Sequence, residues 1–304
     1  MRVLLNRKIG AKILLLFSLA SLNSVAQISP AVIRTKFSTP VSWFATNVAQ
    51  NQIVIIGQIT HITVGQVKIA LEKIPDAKEL VVDSVGGDVE SAIEIARIVR
   101  ERNLTLVVDG RCFSACANFI FVAAKHKRVL PGSLIGIHHA TTRFTVQGRI
   151  KEVFERSDLQ KLPAAEMEDG RRYFETSHAK MQEFYKEFNV NQTYLQQFLS
   201  YIKARRRLVG EESFDIVRGY PACPRIEMWI LDEQKLKQMG VQGIDEFWYP
   251  KDDLVKKKLF SNLQLSPDTM YFGDDEKLST YCKEFLIQFS IPAMKDFKTF
   301  VAGL

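Results

Sequence analysis

Short apolar segments alternate with amphipathic segments along the first half of the chain. Segment 53–57 is rich in β-branched residues and predicts a strand, whereas the apolar positions of 67–74 recur at helical spacing. Segments 80–83 and 104–108 repeat the strand pattern, and so does a segment starting near residue 134. These strands start about 24 to 30 residues apart, the size of a strand-helix unit with short loops. The pattern therefore predicts an α/β domain with mainly parallel strands.

This rhythm weakens in the second half of the chain. Residues 141–210 are predicted to be a largely helical insertion, with a helical pattern suggested around 150–155 and a longer helical region over 178–207. The α/β rhythm ends after Pro250. We therefore expect one α/β domain over residues 27–255, followed by a small helical appendage over residues 256–304.

The first residues have the pattern of a targeting segment. A basic start is followed by an apolar run over 13–20 and by small residues that lead to Ser24, Val25 and Ala26. We expect residues 1–26 to be a signal peptide, cleaved before Gln27, and the mature protein to be periplasmic or secreted. An uncleaved anchor is the alternative, but the run is about eight residues where a membrane span needs roughly 20. The mature form is predicted to have no stable membrane span.

Charge and composition exclude some classes of protein. The 304 residues are 46% hydrophobic and 25% charged, as in an ordinary globular chain and not in a disordered one. The formal net charge is +7, but the predicted signal peptide holds four basic side chains and no acidic one. The remainder has 37 basic and 34 acidic side chains, a net charge of +3. No nucleic-acid partner is expected, because such a partner needs a clustered basic face.

The four cysteines are Cys112, Cys116, Cys223 and Cys282. Export would place them in an oxidising environment, where three full pairings are open. Cys112 and Cys116 are the favoured pair, because their separation allows a disulfide if the turn between them is tight. Cys223 can compete for the pairing, and two packed free thiols remain an alternative. The spacings do not fit a zinc site, so we expect neither a metal nor another cofactor.

The segment 83–88, Asp-Ser-Val-Gly-Gly-Asp, lies between a predicted strand and a predicted helix. Two glycines there let the backbone turn sharply and leave amide hydrogens for an anion or an oxyanion. The alternative is a simple turn in which Asp88 caps the helix.

A serine and a histidine occupy similar places in the next two units. Ser114 follows the strand at 104–108 and starts an apolar helix, where it can be a helix cap or a nucleophile. His138 ends the next strand and can be a structural residue or a base for Ser114. His139 competes for that role, because neighbouring residues of a strand face opposite sides.

Together these segments resemble the Clp protease family of the crotonase-like superfamily. The resemblance covers residues 50–140, with a weaker match over 229–241, and is closest to exported Clp-like serine proteases of bacteria. It implies a ClpP/crotonase-like spiral of strand-helix units. It also implies that Ser114 is the nucleophile and His138 the general base, and that the amides of Gly87 and Ala115 form the oxyanion hole.

The chain departs from the family pattern in two places. Val85 stands where the family usually has proline, before the glycine pair. The family's acid aligns near Met228, so Glu227 is our candidate, with Asp215 as an alternative and a Ser-His dyad as a third case.

The expected function is that of an exported serine peptidase that cleaves polypeptides by acyl transfer. A catalytically inactive relative that acts as a binding module is the main alternative. A coenzyme A thioester enzyme of the crotonase type is a second one, but its substrates are cytoplasmic. Clp-like subunits form rings, so a homo-oligomer is also among the expectations.

Overall fold

The structure of the protein is a computed structural model. It describes residues 43–47, 51–146, 149–162, 168–209, 226–273 and 278. The predicted signal peptide, Asp215, Cys223 and Cys282 lie outside the described residues.

The secondary structure follows the chain as strands, α-helices and two other helical segments. The strands are β1 (Trp43–Asn47), β2 (Gln52–Ile59), β3 (Glu79–Gly87), β4 (Thr105–Phe113), β5 (His126–Val129), β6 (Leu134–Ile137), β7 (Thr142–Val146), β8 (Arg149–Val153), β9 (Met228–Ile230), β10 (Ile244–Phe247) and β11 (Met270–Tyr271). The α-helices are α1 (His61–Lys73), α2 (Val89–Glu101), α3 (Arg156–Leu159), α4 (Glu168–Glu187), α5 (Thr193–Val209), α6 (Glu233–Gln238) and α7 (Asp253–Leu263). A π-helix spans Cys116–Phe121, and a 3-10 helix spans Pro267–Thr269.

Within the described residues, nine of the strands form one sheet. Its main order is β1-β2-β3-β4-β6-β9-β11, with β5 and β10 beside this path. Strand β4 pairs with β5 along residues 105–108 and with β6 along residues 111–113, so the sheet divides at β4. The pairs β1–β2 and β6–β9 are antiparallel and the others are parallel. The predicted fold class, an α/β domain with a parallel-dominated sheet, is confirmed.

Helix α2 shows how the sequence forms a helix that packs against this sheet. The Asp88 carboxylate accepts a hydrogen bond from the backbone N of Ser91 at 2.8 Å and caps the helix. One face of α2 is buried against the sheet and includes Ala92, Ile95 and Val99, each 0% exposed. Burying a side chain such as Ile95 or Val99 contributes roughly 1.5–3 kcal/mol, so the helix is held mainly by packing.

Residues 149–153 correct one prediction. The sequence suggested a helix around 150–155, but β8 pairs there with β7 in an antiparallel hairpin. Burial alternates along β7, with Phe144 and Val146 on its buried side. These side chains form a small second core with Val153, Leu159 and Phe174. The strand therefore forms because pairing with β7 gives its apolar side a surface to pack against.

The two long helices agree with the predicted helical region over 178–207. Helix α4 ends at Glu187 and α5 begins at Thr193, on either side of the predicted break near Asn189. Among the helices of the described ranges, none is both long enough and apolar enough to cross a bilayer.

The predicted boundary at residue 255 falls within α7. After this helix, β11 pairs with β9 in the main sheet, through Met270 with Met228 and Tyr271 with Trp229. Residues as far as Tyr271 therefore pack with the α/β domain.

Candidate active site

The candidate residues meet where β3, β4 and β6 end. A cavity of about 610 Å³ opens there, and its wall includes Gly87, Ser114, Ala115, His138 and Glu227. In an open α/β sheet, the carboxyl ends of parallel strands are the usual place for a ligand. All five site residues predicted from the sequence thus line one cavity.

Ser114 lies at a sharp turn between β4 and the π-helix. Its φ is 55°, in the left-handed region that L-residues other than glycine seldom adopt. Its backbone N donates to the carbonyl O of Gly136 at 2.9 Å, and its own carbonyl O accepts from the N of Asn118 at 2.8 Å. These two hydrogen bonds stabilise the turn and keep the backbone of Ser114 in its strained conformation.

A disulfide joins the two sides of this turn. Cys112 and Cys116 are joined, with their Cα atoms 5.2 Å apart, and both are fully buried. This agrees with the pairing that the sequence favoured. Cys112 is the second-last residue of β4 and Cys116 begins the π-helix, so the bond fixes the two sides of the serine turn to each other.

The end of β3 is tied to the end of β4 by buried polar groups. The carboxylate of Asp83, 0% exposed, accepts hydrogen bonds from the backbone N and from Nε of Arg111, both at 2.8 Å. A buried carboxylate needs such a partner. At the same end, the Cα of Gly86 lies so close to the serine turn that an added Cβ would be 2.6 Å from the Cβ of Ser114. A larger residue at this position would force the serine turn to shift.

His138 lies directly opposite Ser114. Its Nε2 is 2.6 Å from the Oγ of Ser114, which is hydrogen-bonding distance. Burial lowers the pKa of His138 to about 4; a hydrogen bond from the ring to the backbone of His139 acts in the opposite direction, and the charges of His139 and Arg143 lower the pKa further. The imidazole is therefore neutral at neutral pH, the form that can accept a proton. The ring of Phe198, on α5, packs at 6.2 Å between centroids.

His139 has different contacts. Its Nδ1 lies 2.9 Å from the carbonyl O of Ala140, and its ring packs beside Phe154 with centroids 6.3 Å apart. Burial lowers its pKa as well. The structure thus brings His138 to Ser114, whereas His139 packs against the β8 side of the molecule.

Glu227 is on the cavity wall, exposed, and its backbone N donates to the carbonyl O of Thr269 at 2.8 Å. Within the described part of the chain, the groups that shift the pKa of His138 include no carboxylate. The role of Glu227 as the acid stays a prediction, and the alternative Asp215 lies outside the described residues.

Three residues that sequence reasoning missed also line the cavity. Asn118 lies on the π-helix, Phe198 on α5 and Tyr173 on α4. The Tyr173 hydroxyl donates to the carboxylate of Asp88 at 2.6 Å. Asn118 carried a signal, because an amide stands inside an otherwise apolar segment. The other two residues come from the predicted insertion, and their sequence carries no sign that it folds over this site.

A comparison with protein-family models agrees with this fold. Residues 43–185 match the family described as Clp protease. The matched region spans β1 to most of α4. A search of the curated proteins gave no significant match. Among solved structures, a mutant of the 1510-N membrane-bound stomatin-specific protease is similar at 17% identity, with 68% of this chain and 81% of that chain covered and a TM-score of 0.36.

Proposed function

We propose that the protein is an exported serine peptidase of the Clp class, with Ser114 as nucleophile and His138 as general base. The observation that carries the proposal is the 2.6 Å contact between the Oγ of Ser114 and the Nε2 of His138, at a serine held in a left-handed turn. A serine hydroxyl is a weak nucleophile, and a neutral imidazole within hydrogen-bonding distance activates it.

In the first half of the reaction, Ser114 Oγ attacks the carbonyl carbon of a peptide bond and its proton moves to Nε2 of His138. The tetrahedral intermediate then collapses. The C–N bond breaks, and His138 returns the proton to the leaving amine, so that an acyl-enzyme remains. In the second half, water gives its proton to His138 and attacks the ester, and the proton returns to Ser114 Oγ as the acid product leaves.

The developing oxyanion would be stabilised by the backbone amides of Gly87 and Ala115. The two amides on either side of Gly87 are engaged, because Gly86 N donates to Ser84 Oγ at 3.1 Å and Asp88 N donates to the carbonyl O of Ile59 at 2.9 Å. Ala115 N lies next to Gly86, 2.9 Å from the place of an added Cβ. One oxyanion donor is worth about 2.7–4 kcal/mol in studied enzymes.

The cavity supports a polypeptide substrate. Phe198, Tyr201 and Ile202 of α5 form an apolar wall on one part of the cavity, and the charged Arg205 and Arg206 of the same helix and Arg143 of β7 line other parts of it. We propose that a substrate side chain next to the cleaved bond packs against the apolar wall. A homo-oligomer, which Clp-like subunits can form, is part of the same hypothesis.

Export also belongs to the proposal. Disulfides form and persist in oxidising compartments. The Cys112–Cys116 bond therefore supports a periplasmic or secreted location. Mass spectrometry of the fractionated host cell tests it. We expect a mature chain that begins at Gln27 in the exported fraction, whereas an intact chain in the membrane fraction would contradict export.

Labelling with a fluorophosphonate probe tests the nucleophile. We expect the wild-type protein to form a covalent adduct on Ser114, and Ser114→Ala and His138→Ala to form none while circular dichroism shows them folded. Glu227→Gln is made in parallel: a rate lowered by orders of magnitude would assign Glu227 as the acid, and an unchanged rate would favour a dyad or Asp215.

The main alternative is an inactive Clp-like protein that binds polypeptides without cleaving them. The observation in its favour is that no carboxylate among the described groups acts on His138. A folded wild-type protein that is never labelled would leave this alternative in place of the peptidase.

A further inference from the structure

Asn118 connects the two halves of the candidate site. Its backbone N donates to the carbonyl O of Ser114 at 2.8 Å, and its side-chain Nδ2 donates to the carbonyl O of His138 at 2.9 Å. The residue is 2% exposed and lines the cavity. One residue thus holds the backbone of both the nucleophile and the base.

The orientation of the Asn118 amide follows from hydrogen-bond chemistry. The carbonyl O of His138 can only accept, so the NH₂ group must face it and Oδ1 must point elsewhere. Oδ1 is buried and has no hydrogen-bond partner among the described residues. A buried acceptor without a partner is unfavourable, so packing alone does not explain an amide at this position.

The ring of His138 depends on its own backbone for orientation. It follows the end of β6, where ladder pairing stops, and its Nε2 lies 2.6 Å from the Oγ of Ser114. A group that fixes the carbonyl of His138 therefore also fixes where the ring points.

We propose that Asn118 is a positioning residue that keeps the imidazole of His138 aligned with the hydroxyl of Ser114. This inference rests on the proposed function. The amide substitutes in part for the acid of a Ser-His-acid triad, since it orients the base through the main chain. It does not share the positive charge that forms on the ring.

The test compares Asn118→Leu and Asn118→Asp with wild type, in the full mature chain. Leucine keeps the shape and removes both side-chain polar groups, and aspartate keeps an oxygen but loses the NH₂ donor. We expect each variant to lower the maximal rate of fluorophosphonate labelling by about 10²-fold, with the half-saturating probe concentration nearly unchanged, because a small misplacement of a catalytic group has an effect of this size.

Asn191 offers a matched control. Its Nδ2 also donates to a backbone carbonyl, that of Gln238 at 3.2 Å, but it lies in the loop between α4 and α5. Asn191→Leu removes the same kind of bond, together with the two bonds that Asn191 Oδ1 accepts from Thr193, and should still label at the wild-type rate. A folded Asn118→Leu protein that labels like wild type would overturn the proposal.

A nitrogen NMR signal from the His138 ring separates this proposal from the proposed function. We expect wild type to show one tautomer, with the proton on Nδ1, and Asn118→Leu and Asn118→Asp to show exchange between tautomers, whether or not the protein is active. If wild type is not labelled, the peptidase proposal fails and the ring signal still decides on Asn118. An unchanged ring signal in both variants would contradict the positioning role. If the leucine variant does not fold, the aspartate variant carries both measurements.

Discussion

The ends of β3 and β4 lie side by side, and they reach a similar backbone conformation with different residues. Each carries a serine and a backbone with positive φ. At the end of β3 the positive φ angles, 89° and 148°, belong to Gly86 and Gly87, for which they cost little. At the end of β4 the angle of 55° belongs to Ser114, which has a Cβ.

Ser84 and Ser114 also differ in the contacts of their hydroxyl groups. Ser84 is fully buried; its Oγ donates to the carbonyl O of Gly57 at 2.7 Å and accepts from Gly86 N at 3.1 Å. The hydroxyl of Ser114 instead faces the imidazole of His138 in the cavity. One hydroxyl completes a turn, and the other is held at a conformational cost in a place where it can react. This difference is what the proposed nucleophilic role of Ser114 predicts.

The largest effect is expected from making the β4 end like the β3 end. Ser114→Gly and Ser114→Ala should both lower labelling and hydrolysis by about 10⁴-fold or more, because each removes the nucleophile. Glycine should be more stable than alanine by about 1 kcal/mol, since it adopts the left-handed turn without strain. Chemical denaturation of the two variants measures this difference. Equal stabilities would mean that the turn is not strained.

The reverse change is Gly86→Ala. Its Cβ would lie 2.6 Å from the carbonyl O of Phe113, and the φ of 89° is unfavourable for alanine. We expect a loss of stability of about 1–3 kcal/mol and a labelling rate lower by about 10²-fold, because the serine turn must shift. Gly132→Ala is the control, since Gly132 has a φ of 87° with nothing within 4 Å of an added Cβ. If both variants label alike, the close contact with Gly86 does not position Ser114.

The disulfide distinguishes the β4 end further. The double substitution Cys112→Ala with Cys116→Ala should lower the free energy of unfolding by about 2 kcal/mol, from the chain entropy of a short closed loop. We expect a labelling rate lower by about 10-fold, since a looser turn samples the reactive geometry for less of the time. Urea unfolding and labelling of the same samples check both. Wild-type labelling by the double variant would show that the disulfide serves stability alone.

Ser84→Ala should change stability far more than activity. It leaves the carbonyl of Gly57 and the amide of Gly86 without their partner, which costs about 1–3 kcal/mol. The labelling rate should stay within a few-fold of wild type, because Ser114 and His138 keep their contacts. A loss of labelling as large as that of Ser114→Ala would remove the contrast between the two serines.

The smallest effect is expected from mild acid. Burial lowers the pKa of His138 from 6.5 to about 4, so the base stays neutral and the labelling rate should change little between pH 7 and pH 5. The unfolded chain takes up a proton at this residue below pH 6.5 and the folded chain does not. His138 therefore lowers stability as pH falls from 6.5 toward 4. A labelling rate that falls with a midpoint near 6.5 would contradict the lowered pKa.

The local parts of this site could be predicted from the sequence. Strands β4 and β6 belong to neighbouring units of the predicted pattern and are parallel neighbours in the sheet, so a serine after one and a histidine after the other could be expected to meet. The position of His138, and not His139, beside Ser114 depends on strand register, which the sequence left open. The pairing of Cys112 with Cys116 was accessible because the two are close in sequence.

Other parts depend on contacts between distant segments. Phe198 reaches His138 only because α5 packs over the sheet, and the composition of α5 does not indicate this. Residues 149–153 form a strand because β7 lies beside them, although their own pattern suggested a helix. In β7 the buried Phe144 and Val146 alternate with exposed residues. That period of two was the available sign of a hairpin.

The disulfide between Cys112 and Cys116 also determines when the serine turn becomes fixed. A newly made chain leaves the ribosome with Cys112 and Cys116 as thiols, and their bond forms only after an oxidant has removed two electrons and two protons. Fixing the serine turn is thus a maturation step, separate from synthesis. If the proposed peptidase activity needs a fixed turn, the reduced chain is a precursor that oxidation, and not cleavage near the site, would activate. Such a precursor would have little activity where thiols are kept reduced, and would spare the proteins of the compartment in which it is made.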